Sequence, residues 1–405
     1  MSGSWLVIAA VCAVNLAFLP YFVFLLATSL AAIAARSGST SDDDPSSKFL
    51  IVIPAHDEQS GIATTVKSCL ASAYPSGFFG VVVIADNCTD RTAERASEAG
   101  ARVFERFDEL KKSKGFAIEY LLALLEQAGE LAVLDAVVIV DADTTIDPGL
   151  LGAFDGGLRR GHDWMQAYYT VANPDQSWRT RLMTYAFSLF NGVMQLGQNA
   201  LGSSAGFKGN GMCFSTRGLH RRPWHCYGLV EDMEYSWTLR VAGEKIWFVP
   251  DKSVYGAMLG SGGKAAANQR KRWEFGRRDI RRKYFGKLLR SNDLGWLEKG
   301  LSACELTIPS MAGLALIYVG LVTIDGGVWL AATSPQDHFV RGFLLTCAAL
   351  MTVALAVYAL APFLVMRLPW KYLSTIAFFP FYVSWKLLVA MGGRPQQWVR
   401  TMREH

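Results

Sequence analysis

Charge is missing from two long stretches of this 405-residue chain: residues 1–35 and residues 342–366 hold no Asp, Glu, Lys or Arg. Both exceed the roughly 20 residues needed to cross a hydrocarbon core. Residues 306–324 form a third uncharged run, shorter but adequate. Such runs exclude an ordinary soluble protein and imply an integral membrane protein. The first run also lacks the marks of a cleaved secretory signal. Nothing before Arg36 is charged, and the apolar stretch far exceeds the usual length of about 7–15 residues. An uncleaved anchor is the better reading.

Other absences narrow the chemistry. The seven cysteines, at 12, 69, 88, 213, 226, 304 and 347, offer no pair at metal-ligand spacing. Their odd number speaks against a complete disulfide framework. Cys12, Cys304 and Cys347 lie in or beside apolar runs and read as small fillers. The soluble part therefore reads as a reduced, cytoplasmic domain. No glycine-rich phosphate loop follows the first apolar strand, neither G-x-G-x-x-G nor a Walker sequence, which argues against a dinucleotide or ATP enzyme. There is no internal repeat. His56 lies in a polar cluster, and His220 and His225 flank a basic turn without metal-ligand spacing. None is assigned a catalytic role.

What is present is unevenly placed. The net charge is +5, yet ten Lys or Arg fall between Arg270 and Arg290 against only Glu274 and Asp279. A nucleic-acid footprint is one reading. The third uncharged run follows directly, so a membrane surface is the better one. Residues 372–391 carry Pro380 and Lys386 between basic flanks (Arg367, Lys371, Arg394, Arg400, Arg403). Crossing the bilayer would put one basic flank on the wrong side, so an interfacial or re-entrant helix is expected. The runs 306–324 and 342–366 then form a hairpin, with Asp325 and Asp337 in its short outer loop.

After the polar linker 36–47, strands and helices alternate. Phe49–Pro54, Val81–Ala85 and Asp135–Val140 are continuous apolar runs that read as buried strands, with a short strand at Arg102–Glu105. Helical spacing covers 60–73, 114–127, 178–199 and 231–241, and a further strand is expected at 245–249. Thr89 or Asp90 can cap the helix after the second strand. The alternation predicts a parallel sheet with helices on both faces, where ligands sit beyond the carboxyl ends of the strands. Pro54–Glu58, Asp86–Asp90 and Asp141–Asp143 all fall at those ends. Beyond Asp143 the pattern loosens, and Gly206–Ser215 is glycine-rich.

Asp141-x-Asp143 ends a buried apolar strand. Two carboxylates there repel unless neutralised, and hard oxygen ligands suit Mg²⁺ or Mn²⁺ carrying a substrate's phosphates. Asp57, Glu58 and Asp86 can accept hydrogen bonds from a nucleoside, or serve as cap and turn residues. Glu231-Asp232 opens a helix, where one carboxylate could be a general base or both could answer the helix dipole. Gln269-x-x-Arg272-Trp273 joins an amide, a guanidinium fit to clamp a diphosphate and an indole fit to stack on a sugar. The alternative for that stretch is a basic helix lying on the membrane with Trp at the interface.

The ordered set PAHDE (54–58), DNCTD (86–90), SKG (113–115), DAD (141–143), GNGMCF (209–214), VED (230–232) and QRKRW (269–273) resembles the membrane-bound family 2 glycosyltransferases. It is similar above all to bacterial exopolysaccharide transferases, and shares motifs with cellulose, hyaluronan and chitin synthases and ceramide glucosyltransferases. The ending 385–401 also looks like theirs. The departures His56 and Val230 remove no functional carboxylate.

The resemblance implies an α/β fold: a nucleotide-sugar-binding, GT-A type, Rossmann-like domain with transmembrane and interfacial helices. It divides the chain into an anchor (1–35), a linker (36–47), a cytosolic transferase domain (48–268), basic interfacial helices with Q-x-x-R-W (269–300) and a C-terminal membrane region (301–405). Asp57 or Glu58, Asp86, Lys114 and Asp141 would contact the donor nucleotide. Asp143, with Asp141, would hold Mn²⁺ or Mg²⁺. Gly209–Cys213, including Asn210 and Gly211, would line the acceptor site. Asp232, beside Glu231, would be the base, and Gln269, Arg272 and Trp273 would hold diphosphate and acceptor. The implied partners are a UDP-sugar and a lipid or lipid-linked acceptor, with other polysaccharide-assembly proteins and no nucleic acid. The implied place is the cytoplasmic membrane, multi-pass, with the catalytic domain in the cytoplasm. Three or so spans are few for a polymer pore, which favours single additions. A processive synthase completed by partner subunits and an inactive scaffold of an export complex are the alternatives. Intact Asp141, Asp143, Asp232 and Arg272 speak against the scaffold. A metal-dependent nucleotidyltransferase would have no need of Q-x-x-R-W.

Overall fold

The computed structural model describes residues 2–35, 44–260, 263–331 and 338–390. The uncharged first run folds as one helix, α1 (Ser2–Ala34). After it, short runs rich in β-branched residues form parallel strands: β1 (Phe49–Ala55), β2 (Phe79–Asp86), β3 (Arg102–Arg106) and β4 (Ala136–Ile139). They pair side by side in the order β3-β2-β1-β4. All of β4 is buried, which explains its unbroken apolar sequence. The linking helices are α2 (Ile62–Leu70), α3 (Thr92–Glu98) and α4 (Lys114–Gln127). Ser113 caps α4 by accepting from the Phe116 N–H at 3.4 Å. Before α3 it is Asp90, not Thr89, that accepts from a first-turn N–H, that of Thr92 at 2.9 Å.

The expectation of a wholly parallel sheet holds for this half only. Four further strands extend it: β5 (Thr144–Ile146), β6 (Trp164–Val171), β7 (Met212–Ser215) and β8 (Ile246–Gly256). β7 runs antiparallel to both β4 and β6, β8 runs parallel to β6, and β5 closes the edge against β8. The sheet is therefore mixed. One face packs on α2 and on α5 (Leu150–Arg159). The other receives Ile118, Leu121 and Leu125 of α4 and Tyr235 and Leu239 of a later helix.

The stretch 178–200 stays helical but is not uniform. α6 (Trp178–Phe187) passes through a π-helical segment, Ser188–Val193, into α7 (Met194–Ala200). α7 meets α1 backbone to backbone: a Cβ on Gly197 would stand 1.9 Å from the Thr28 carbonyl oxygen. The short α8 (Thr216–Arg221) follows β7. α9 (Glu231–Val241) opens with three acidic residues in its first turn. Then come α10 (Lys264–Arg290) and α11 (Trp296–Thr307).

Among the described residues, three helices are long and apolar enough to cross a membrane: α1 over Leu6–Ala34, α12 (Met311–Ala331) and α13 (His338–Val365). The expected span at 306–324 is displaced. Asp325, read from its charge as an outer-loop residue, lies inside α12 and is buried. Asn15 of α1 donates to its Oδ1 at 2.8 Å, which is how the helix tolerates it. Asp337 falls outside the described residues, as do Arg394, Arg400 and Arg403. The segment after α13 forms a 3₁₀ stretch, Trp370–Phe378, and α14 (Phe379–Ala390). It packs on α6 and the turn before it: Phe378 stacks on Trp178 at 5.6 Å, and Lys371 pairs with Asp175, just ahead of the helix, at 2.7 Å.

Candidate active site

A cavity of about 1400 Å³ lies beyond the carboxyl ends of β1, β2 and β4 and reaches α12 and α13. Its strand-end wall includes His56, Glu58, Asp86, Lys114, Asp141 and Asp143. Its far wall is apolar, with Leu306, Met311, Ala312, Ala315 and Leu355. Glu231, Asp232, Gln269, Arg272 and Trp273 also line it.

Lys114 organises the centre. Its ammonium contacts the Asp141 carboxylate and the Gly209 carbonyl. Burial would lower its proton affinity, but Asp141, Glu231 and Asp232 raise it overall. The two acids of α9 are perturbed in the opposite sense. Burial, then the neighbouring Asp232, pushes Glu231 up to about 7. Burial also raises Asp232, against the Met233 N–H, Lys114, Lys208 and Arg272. Gly209 lets Asp232 come close: its φ is +79°, and a Cβ there would sit 3.3 Å from Asp232 Oδ2.

The rest of the expected acceptor loop is not at the cavity. Asn210 is fully buried, donating to Thr144 Oγ1 at 2.7 Å and accepting from the Asp141 N–H at 3.2 Å. Gly211 abuts Val254, and Cys213 lies in the centre of the sheet. The reason is β7, which starts at Met212 between two strands and draws its approach into the core. Asn210 thus braces Asp141 from behind.

The nucleoside candidates separate too. Asp57 has a left-handed backbone (φ 54°) and accepts from the Thr89 N–H at 2.6 Å, so it ties two loops together. Burial pushes its carboxyl up, but that N–H and His56 hold it below the usual range. Glu58, not Asp57, reaches the cavity wall. Asp86 pairs with Arg106 at 2.6 Å, both nearly buried, and burial still raises its pKa. Arg106 had no sequence signal beyond its place at the end of β3.

Asp143 lies on the wall, its Oδ1 accepting from Thr144 Oγ1 at 3.3 Å. Among the described residues, Asp141 and Asp143 join no third ligating side chain. They therefore suit a hard cation that completes its shell with phosphate oxygens and water, not an all-protein cage. The group that does come together is Asp57, Cys88 and Asp90. Its carboxylates already serve the N–H groups of Thr89, Thr92 and Gln59, so it is a braced turn.

Sequence reasoning missed a largely buried polar cluster in the cavity wall, with Lys208, Arg240 and Glu305 among its members. Arg240 of α9 pairs with Glu305 of α11 and donates to the carbonyls of Ser204 at 2.7 Å and Ala205 at 3.0 Å. Glu305 also accepts from Gln198 at 2.7 Å, and Lys208 lies within reach of its charge. His220 and His225 pair with Glu126 and Glu119, away from the cavity.

Residues 45–276 match the family model described as glycosyltransferase like family 2. A stretch of 108 residues is 34% identical to the low-salt glycan biosynthesis hexosyltransferase Agl6 of Haloferax volcanii, covering 27% of this chain and 24% of that one. The match thus spans about a quarter of that relative's length. The solved mannosyltransferase PcManGT of Pyrobaculum calidifontis, in complex with GDP-Man and Mn²⁺, is similar at a TM-score of 0.50 and 15% identity, over 89% of this chain and 99% of that one. TarS of S. aureus in complex with UDP-GlcNAc gives a TM-score of 0.44 at 15% identity, over 76% and 91%.

Proposed function

The chain belongs to glycosyltransferase family 2, and from that premise we propose that it moves a hexose from a UDP-sugar to a lipid or lipid-linked saccharide at the cytoplasmic face of a membrane. One observation carries this: a single cavity joins the acidic strand ends to the apolar wall supplied by α12 and α13. A nucleotide belongs at the first end and a lipid at the second. The basic face of α10, with the three candidate spans, supports a catalytic domain held on the cytoplasmic side.

In this reading Glu58 and Asp86 hold the nucleoside, and Lys114 with Arg272 offsets the negative charge of the diphosphate. Asp143, with Asp141 behind it, would hold Mn²⁺ or Mg²⁺, which would stabilise charge on the leaving diphosphate. Asp232 takes the proton from the acceptor hydroxyl. Burial raises its pKa above the ordinary carboxylate value, which strengthens it as a base, and Gly209 leaves room for it beside the reacting oxygen. That oxygen attacks the anomeric carbon from the face opposite the nucleotide, so an α-linked donor gives a β-linked product. Trp273, on the cavity wall, offers a face for the acceptor sugar.

The test is nucleotide release by the purified full chain in native lipid, over a panel of UDP- and GDP-sugars with and without Mn²⁺ or Mg²⁺. Metal-dependent release from one UDP-sugar is expected. Release from a GDP-sugar alone would overturn the uridine assignment. No release from any donor would favour a scaffold or a partner-dependent synthase.

A further inference from the structure

The cavity holds more positive charge than its donor end accounts for. Arg272 faces the catalytic centre, where its charge bears on both Glu231 and Asp232. Four more arginines line the same cavity: Arg240, which is paired with Glu305, and three others, Arg179 from α6 and Arg270 and Arg277 from α10. Of these last three, Arg270 has a carboxylate in Glu274 at 3.8 Å. Among the described residues, Arg179 and Arg277 form no ion pair. The Nε atoms of Arg179 and Arg270 are buried without a hydrogen-bond partner there. Burial lowers the proton affinity of both, and the charges of Arg277 and Arg179 lower that of Arg270 further.

Guanidinium groups crowded in this way need either carboxylates or an incoming anion. Their orientation is set by aromatic faces. Arg179 lies 4.4 Å over the Trp385 ring, and Arg270 lies 5.2 Å over Tyr382, both rings belonging to α14. Stacking of this kind holds the planar group and leaves its N–H edges for a bidentate oxyanion. The charge of Arg277 reaches Tyr358 of α13, a buried cavity residue whose hydroxyl has no partner among the described residues. The anion site therefore opens onto the apolar wall, where a hydrocarbon chain would continue.

We propose that Arg179, Arg270 and Arg277 form an anion subsite for the phosphate or diphosphate of a lipid acceptor, separate from the place of Arg272 at the donor. This rests on the lipid-acceptor reading above and narrows it: the acceptor carries its own phosphate. The free hydroxyl to be glycosylated then lies toward Asp232, and the lipid chain toward α12 and α13.

The test uses the full chain in phosphatidylcholine nanodiscs, titrated with farnesyl monophosphate or farnesol and read by native mass spectrometry. Binding of UDP with Mn²⁺ is measured in parallel by calorimetry. The phosphate should bind at least about ten-fold more tightly than the alcohol, as charge-assisted hydrogen bonds require. The double substitution Arg179→Gln/Arg270→Gln should erase most of that preference, and Arg277→Gln alone should reduce it, with UDP affinity unchanged in both. Retained UDP binding shows that the variants fold and separates this proposal from the donor assignment. Equal wild-type affinity for phosphate and alcohol, or a preference untouched by the substitutions, overturns the subsite. Displacement of the prenyl phosphate by equimolar phosphatidylglycerol would show that the arginines read bulk headgroups, and would overturn the acceptor assignment as well.

Discussion

Glu305→Gln tests how the sheet-bearing fold is fastened to the helix that leads into the membrane region. Arg240 is almost wholly buried, with 2% of its side chain exposed, against 14% for Glu305. The substitution keeps the shape but leaves the Arg240 charge with neutral partners, the Ser204 and Ala205 carbonyls, the Ser302 hydroxyl at 3.5 Å and the Trp237 ring at 4.6 Å. Removing one partner of a buried pair typically costs about 3–5 kcal/mol. The two carbonyl acceptors put the expectation at the lower end, about 3 kcal/mol. At roughly 2–4 °C per kcal/mol for a domain of this size, Tm should fall by about 6–12 °C. Arg240→Met/Glu305→Met should be less harmful than the sum of its single substitutions, by about 1 kcal/mol or more. The pH dependence has a definite sign. Burial pushes the Glu305 carboxyl up, but Arg240 and Lys208 outweigh it and hold it low. Its contribution is therefore present above the unfolded value, about 4.3, and is lost as pH falls through the folded one. Glu305→Gln should lack that acid loss. The assay is thermal unfolding in detergent, followed by tryptophan fluorescence across pH. A Tm change under about 2 °C, or fully additive single substitutions, would refute the buried-pair account.

Three other outcomes are expected. Because burial raises Asp232 above the ordinary carboxylate value, and a carboxylate base works only when ionised, kcat/KM should rise with pH along an acid limb that lies above the ordinary carboxylate range. An acid limb confined to the ordinary carboxylate range would contradict this. Gly209→Ala places a Cβ against Asp232 at a left-handed backbone position, so kcat should fall about ten-fold or more while calorimetric UDP affinity holds. Asp143→Ala should abolish the stimulation of nucleotide release by Mn²⁺ or Mg²⁺, and chelation of the wild type should have the same effect.

The legible parts of the fold were those encoded locally. Phe49–Ala55, Phe79–Asp86 and Ala136–Ile139 are dry, β-branched runs, and α4 and α9 carry helical spacing with recognisable first turns. Their ends hold the polar clusters, which is why Glu58, Asp86, Asp141, Asp143 and Asp232 could be singled out, whereas Lys114 was marked by the family resemblance alone. β6 and β7 were hidden because their strand character comes from sheet pairing between distant segments, as in Met212 beside Ile139. Asn210 and Gly211 were expected at the acceptor site from the family resemblance alone, and a motif match does not reveal that the next residue enters the core. The Arg240–Glu305 pair joins residues 65 apart in sequence, so neither marks the other. Asp325 was misplaced because a charge in an apolar run reads as a loop until its partner, Asn15, 310 residues away, is seen. Arg179 lies outside every motif and gains meaning only beside Arg270.

The most direct measurement of the central claim is transfer of a radiolabelled hexose from its UDP donor into the organic-extractable fraction by the purified full chain in native lipid. Wild-type protein should move label into that fraction in a metal-dependent way. Asp232→Asn should lower the rate by about 10²–10⁴-fold while binding UDP as before. Lipid-phase label formed at the wild-type rate by Asp232→Asn would contradict the assignment of the base. Nucleotide release with label remaining wholly in the aqueous phase would contradict the lipid acceptor.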